Sequence, residues 1–255
     1  MSPSAPPAIA GHSHIVALGV PLRSGDGTDK LVPLDNGDDR FVGFTGKWER
    51  EQSYFDALIR LSAERTILLS WMGNQYDAAF RIARNPPIDF VLSTDPDLPL
   101  NPNATLVPEA AINERLAEGF DWLTYVTNGV KKITGARLIL CGSPPPKLGY
   151  SNLKEEVKGF SSFWGVVAQQ AGVDFESFNL SEPLFLLKAW KLLQSKYERF
   201  ASENGFEFLS SPDACHTAEG FLREDCWGYD YSHANARYGA VVRDKAWELI
   251  GRWTS

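Results

Sequence analysis

The run from Thr66 to Met72 (Thr-Ile-Leu-Leu-Ser-Trp-Met) constrains the fold of this chain more than any other stretch. It has the length of a strand, is almost continuously apolar, and stops at Gly73-Asn74-Gln75. A strand with one wet face alternates polar and apolar residues, so a run without alternation is covered on both sides, as in a parallel sheet. Parallel neighbours must be joined by crossovers of a dozen or more residues, usually helices. A second such run, Ala136 to Cys141, is stopped by Gly142-Ser143 and three prolines, Pro144 to Pro146. Proline can neither donate to a ladder nor continue a helix.

Taken in order, Ala8-Ile9-Ala10 reads as a strand end that turns through Gly11-His12-Ser13-His14 into a helix opened by Ile15 to Leu18. Pro21 to Arg40, rich in Gly and Asp, reads as an insertion loop. Phe41 to Gly46 is a short strand, and Glu49 to Leu61 a helix with Tyr54, Phe55, Leu58, Ile59 and Leu61 at helical spacing. Asp89 to Ser93 is expected as a further strand and Thr94 to Pro108 as a long surface loop. Glu109 to Ile133 reads as helix broken near Gly119, and Ser151 to Gln170 has partial helical character. Leu184 to Asn204 is the longest helix, ended by Gly205. Phe206 to Leu209 is a last strand, and Ala234 to Trp253 a closing helix entered through Asp230-Tyr231-Ser232-His233. Strands alternating with helices predict one α/β domain over residues 1–255, with a parallel sheet covered on both faces and insertions at 21–40 and 94–108.

Composition bounds the function. With 44% hydrophobic and 22% charged residues the 255-residue chain is ordinary for a globular domain. A net charge of -7, with no basic cluster beyond Lys131-Lys132, argues against nucleic acid or an anionic membrane as the main partner. The three cysteines, Cys141, Cys215 and Cys226, form neither a disulfide framework nor a zinc knuckle. A reducing, cytoplasmic setting is therefore expected, since the sequence has no secretory pattern and no run of eighteen apolar residues.

In parallel sheets reactive residues gather at the carboxyl ends of the strands. Four turns fall there: Ser13, Gly46, Gly73-Asn74, and the segment carrying Asp230 and His233. Through Gly11-His12-Ser13, Gly46, Gly73-Asn74 and Asp230-Tyr231-Ser232-His233, in that order, the sequence resembles the SGNH (GDSL-like) hydrolases over nearly its whole length. It departs from their pattern at His12, where an acidic residue is usual, and at Gln75, where the third block commonly ends in aspartate. The resemblance implies a flavodoxin-like, three-layer α/β/α fold with a central, mostly parallel sheet. It also implies a serine esterase or acyltransferase without metal or organic cofactor.

The chemistry follows from the residue types. A serine hydroxyl needs an adjacent base, and the base needs a third group to fix its tautomer. Ser13 is the candidate nucleophile, His233 the base and Asp230 its orienter, on the expectation that one helical turn joins the last two. The Ser13 N–H, the Gly46 N–H and the Asn74 amide are candidate oxyanion donors. Taken singly, each has a plainer reading: Ser13 or Asp230 as a helix cap, Asn74 and Gly46 as turn residues. His12 and His14, with Cys215-His216, Asp230 and His233, form a competing metal-hydrolase reading. A scaffold or carbohydrate-binding module with a degenerate site is the non-enzyme alternative. His14 is expected against the helix or in a pocket, and His216 on a surface loop. His12, Trp71 and Trp227 border the motifs and, with Tyr229 and Tyr231, suggest a partner that is apolar on one side and hydroxylated on the other. A short acyl ester, such as an acetyl group, on a carbohydrate-like small molecule is the expected substrate.

Overall fold

The computed structural model describes residues 5–21, 28–46, 52–71, 75–150 and 153–253. Among these, six strands form one sheet in the order β2-β3-β1-β4-β7-β8. They are β1 (Ala8–Gly11), β2 (Lys30–Pro33), β3 (Val42–Thr45), β4 (Ile67–Ser70), β7 (Leu138–Cys141) and β8 (Glu207–Leu209). All neighbours run parallel except β2, which pairs antiparallel with β3 along one edge.

The two apolar runs are central strands covered on both sides. In β4, Ile67 and Leu69 face one hydrophobic cluster with Ala8, Ala10, Leu138 and Leu140, while Leu68 faces the other with Ile9, Ile139 and Cys141. The period of two is present but hidden, because both faces are dry. The first cluster is closed by helices α1 (Gln52–Leu61), α3 (Glu109–Leu116), α4 (Phe120–Lys131) and α7 (Pro183–Glu203). The second is closed by α8 (Ala236–Gly251), which buries Tyr238, Val242 and Ala246 at intervals of four. The three-layer expectation holds.

Several local expectations are corrected. Inside the presumed insertion loop at 21–40 lies β2, whose mostly exposed residues carry no apolar alternation. The strand expected at Asp89 to Ser93 is only β5 (Ile88–Asp89), which pairs with β6 (Thr105–Leu106) in a separate two-stranded sheet. The intervening loop is pinned: the buried Lys188 ammonium on α7 lies 2.5 Å from Asp89 and donates to the carbonyls of Phe90 (3.1 Å) and Pro99 (3.3 Å). The break near Gly119 is real and separates α3 from α4. Residues 153 to 171 divide into α5 (Leu153–Gly159) and α6 (Ser161–Ala171), and α2 (Gln75–Phe80) follows β4. No helix among the described residues is long and apolar enough to cross a membrane.

Candidate active site

Two glycines bring the ends of the chain together. At the end of β1, Gly11 has φ of 140°, and a Cβ there would lie 1.8 Å from the Ser70 carbonyl oxygen of β4. Only glycine lets the strands stay this close through the turn. His12 N–H then donates to the same carbonyl at 3.1 Å, and the chain enters a 3-10 helix, Ser13–Val16. This single turn replaces the longer helix expected after Ser13, so little dipole is available to favour an anion there. Gly239 of α8 lies against Ala17: a Cβ on it would sit 1.6 Å from the Ala17 carbonyl oxygen. The start of α8, capped by the Asn235 side chain accepting from the N–H groups of Arg237 and Tyr238, is thereby seated beside the Ser13 segment.

The segment leading into α8 places His233 over Ser13. The Ser13 hydroxyl is 2.8 Å from His233 Nε2, and His233 Nδ1 is 2.7 Å from Asp230 Oδ2. With Nδ1–H donating to the carboxylate, Nε2 is left to accept the serine proton. Asp230 and His233 do not share a helical turn, contrary to expectation. They lie in a loop closed by the Trp227–Ala234 bridge and by Gly228 N–H donating to the His233 carbonyl at 2.8 Å. Asp230 Oδ1 accepts from the N–H groups of Ser232 and His233, both at 2.8 Å, and from the Ser232 hydroxyl at 3.1 Å. Burial opposes ionisation of Asp230. The hydrogen bond from the His233 ring, its charge and these backbone donors outweigh burial and hold the carboxyl well below the usual carboxylate range.

Two rings lie nearly parallel to His233. His14, only 5% exposed, stacks on it with centroids 4.5 Å apart. Tyr229, 71% exposed, stacks at 5.3 Å with planes 12° apart. Both His14 ring nitrogens are enclosed without a hydrogen-bond partner. Burial, then the neighbouring His233, lowers its pKa to about 3, so the ring is neutral. In this arrangement His14 presents no accessible nitrogen to a metal ion. Among the described residues no group of three or more His, Cys, Asp or Glu side chains is arranged to hold a metal ion.

Gly46 directly follows β3, the parallel neighbour of β1, and so lies at the same end of the sheet as Ser13. Gly73 and Asn74 lie outside the described residues. Gln75 is buried, donating to the Glu118 carbonyl at 2.8 Å and accepting from the Tyr197 hydroxyl. Of the three residues expected to meet a substrate, Trp71 is 3% exposed and belongs to the core. Trp227 spends its indole N–H on the Leu222 carbonyl at 2.8 Å. His12 sets its ring edge-on to Trp71, centroids 4.9 Å apart. The aromatic surface actually open beside His233 is Tyr229. His216 is half-buried rather than on a surface loop, with Nε2 2.9 Å from the Ser211 hydroxyl and its ring against Trp190. The three cysteines are buried and unbridged.

Sequence reasoning passed over Lys147, whose ammonium enters the Asp230 loop. The available signal was its place just after the prolines that end β7, at the carboxyl edge where reactive groups collect. A separate cleft of about 960 Å³ is lined by residues including Phe80, Asn85, Asn101, Phe178 and Ser181. None of the chain's four histidines lines it, so it offers no serine–histidine pair.

No protein-family model and no curated protein matches the sequence. Among solved structures, a Bacteroides fragilis protein described provisionally as an acylhydrolase superposes with a TM-score of 0.52 at 10% identity, covering 100% of this chain and 90% of that one. The periplasmic domain of a lipopolysaccharide acetyltransferase from Salmonella ser. Paratyphi A gives a TM-score of 0.37 at 14% identity, covering 78% of this chain and 60% of that one. At these identities the first likeness is one of fold.

Proposed function

We propose that this protein is a serine-dependent acyl-ester hydrolase or acyltransferase of the SGNH type, acting through Ser13, His233 and Asp230. The observation that carries the reading is the hydrogen-bonded chain from the Ser13 hydroxyl through His233 to the Asp230 carboxylate, at 2.8 and 2.7 Å. The provisional acylhydrolase description of the Bacteroides fragilis protein that shares the fold is in keeping with it.

In this mechanism His233 Nε2 takes the Ser13 proton as Oγ attacks the ester carbonyl carbon. The imidazolium so formed is stabilised by Asp230, which keeps its negative charge. The tetrahedral oxyanion is assigned to the Ser13 N–H, the Gly46 N–H and, from sequence alone, the Asn74 amide. Collapse breaks the ester C–O bond, and His233 returns its proton to the leaving alkoxide. Water, or a second hydroxyl compound, then loses a proton to His233 and attacks the acyl-serine; collapse breaks the bond from Oγ to the acyl carbon, releasing a carboxylic acid or a new ester, and His233 returns the proton to Oγ, restoring Ser13. The acyl-enzyme is common to both outcomes, so hydrolase and transferase differ only in which acceptor reaches it.

The substrate class assigned is a short acyl group on a hydroxylated, carbohydrate-like molecule. With Trp71 and Trp227 committed elsewhere, its support rests on the exposed Tyr229 ring beside His233, an apolar face with a polar tip. A fluorophosphonate probe followed by peptide mass spectrometry tests the serine, and labelling is expected at Ser13 and absent from Ser13→Ala. Ser13→Ala should also abolish p-nitrophenyl acetate turnover; full turnover in that variant overturns the reading. A series of p-nitrophenyl esters from acetate to decanoate, run beside acetylated sugars, tests the substrate class. A specificity constant that climbs with acyl length while acetylated sugars stay inert overturns that assignment.

A further inference from the structure

Lys147 is a charged side chain where a charge is costly. It is only 6% exposed, on a segment tied to the region before the Asp230 loop by the Lys147–Leu222 bridge and by Leu222 N–H donating to the Pro146 carbonyl at 2.9 Å. Its ammonium reaches into the loop and donates to the carbonyl of Asp230 and, at 3.3 Å, to that of Gly228. The Nζ atom lies 5.0 Å from the Tyr150 ring centroid and 5.8 Å from that of Trp227, so aromatic faces supply part of what water would. Burial of an ammonium is tolerated only when it is hydrogen-bonded and electrostatically compensated.

The loop is folded around this cation. The Gly228 N–H to His233 carbonyl bond and the Trp227–Ala234 bridge close its neck. Glu156 of α5 holds its outer side, accepting from Tyr231 N–H at 3.2 Å and from the Tyr150 hydroxyl at 2.7 Å. Inside, the ammonium gathers the carbonyls of Gly228 and Asp230, which fixes the Gly228–Tyr229 and Asp230–Tyr231 peptide planes, the second of them adjoining the Asp230 side chain. Where that carboxylate points decides where His233 sits, and therefore whether Nε2 meets Ser13.

We propose that Lys147 is the positioning residue of this site: its ammonium sets the backbone of the Asp230–His233 turn and so the alignment of His233 on Ser13. The proposal rests on the triad reading above for its catalytic consequence, but the geometry it concerns exists whatever reaction the site performs. Burial lowers the Lys147 pKa to about 8, against the opposing pull of Asp230, Glu156 and Asp77, with Arg81 adding to the lowering. The turn should therefore loosen as the ammonium loses its proton.

Lys147→Met, which keeps the unbranched apolar stem and removes the ammonium, tests this. The expected result is a fall in kcat of ~100-fold for p-nitrophenyl acetate, the scale of an ångström-sized misplacement, with KM nearly unchanged. A second readout does not need turnover: the low-field Nδ1–H proton resonance of His233, which reports its bond to Asp230, should shift upfield or vanish in Lys147→Met. Should that variant fail to fold, the same resonance in the wild-type protein, followed from pH 7 to about 9, should change with the Lys147 titration. An unchanged His233 resonance, or wild-type kcat in a folded Lys147→Met, overturns the proposal. Absence of Ser13 labelling in the wild-type protein would instead sink the triad reading and leave the resonance test standing.

Discussion

The ring of His14 lies on the ring of His233, centroids 4.5 Å apart and planes 26° from parallel, with both His14 nitrogens sealed from solvent. A histidine held neutral in the fold is protonated once the chain unfolds. The unfolded state therefore binds the extra proton between the ordinary histidine pKa near ~6.5 and the lowered value of about 3. The sign follows: the contribution is fully present above the unfolded pKa and is lost as pH falls toward 3. The unfolding free energy measured in urea should decline over this window with a slope approaching ~1.4 kcal/mol per pH unit from this group. In His14→Phe the decline should be shallower, and parallel curves for the two proteins would refute the account.

Asp230→Asn should lower kcat by on the order of 10⁴-fold while leaving the protein folded. An amide at this position presents a donor to His233 Nδ1 and favours the tautomer that carries its proton on Nε2, where none can be accepted from Ser13. The check is kcat at pH 7 together with a circular dichroism spectrum. A loss smaller than tenfold would mean that His233 is held chiefly by its backbone.

Tyr229→Ala removes a ring that is 71% exposed, so stability should change by less than about 0.5 kcal/mol. Activity should fall unequally. If the ring serves as a surface for a hydroxylated partner, kcat/KM for acetylated sugars drops by more than that for p-nitrophenyl acetate. Equal losses on both substrates would mean that the ring serves only to steady His233.

Gly239→Ala forces a methyl group into the Ala17 carbonyl, to which it would approach within 1.6 Å. Helix α8 must back away from the Ser13 segment. A loss of roughly 1–3 kcal/mol is expected in denaturant unfolding, with kcat falling alongside. Wild-type stability would show that the helix contact is easily adjusted.

The sheet was legible in the sequence because its central strands are apolar on both faces and are punctuated by glycine and proline. Ser13, Asp230 and His233 were legible because they fall at strand ends and before the last helix. What escaped had no periodic signature. Strand β2 is an exposed edge of four residues, and β5 and β6 have two residues each. The three-residue spacing of Asp230 and His233 suggested a helical turn, whereas the Asp230 carboxylate itself makes the turn by accepting two backbone N–H groups. Trp71 and Trp227 were placed correctly beside the motifs, but sequence proximity could not tell a ring that packs inward from one that faces solvent. Lys147 acts through its ammonium on backbone carbonyls about eighty residues away, which no local pattern encodes.

The Ser13–His233 hydrogen bond joins residues 220 positions apart, one at the first strand and the other just ahead of helix α8. During synthesis the sheet can begin to assemble long before that contact can form, since β1, β3, β4 and β7 all precede residue 142. The hydroxyl of Ser13 thus remains without its proposed base until the segment carrying His233 has left the ribosome, so the contact is made after the central strands have been synthesised.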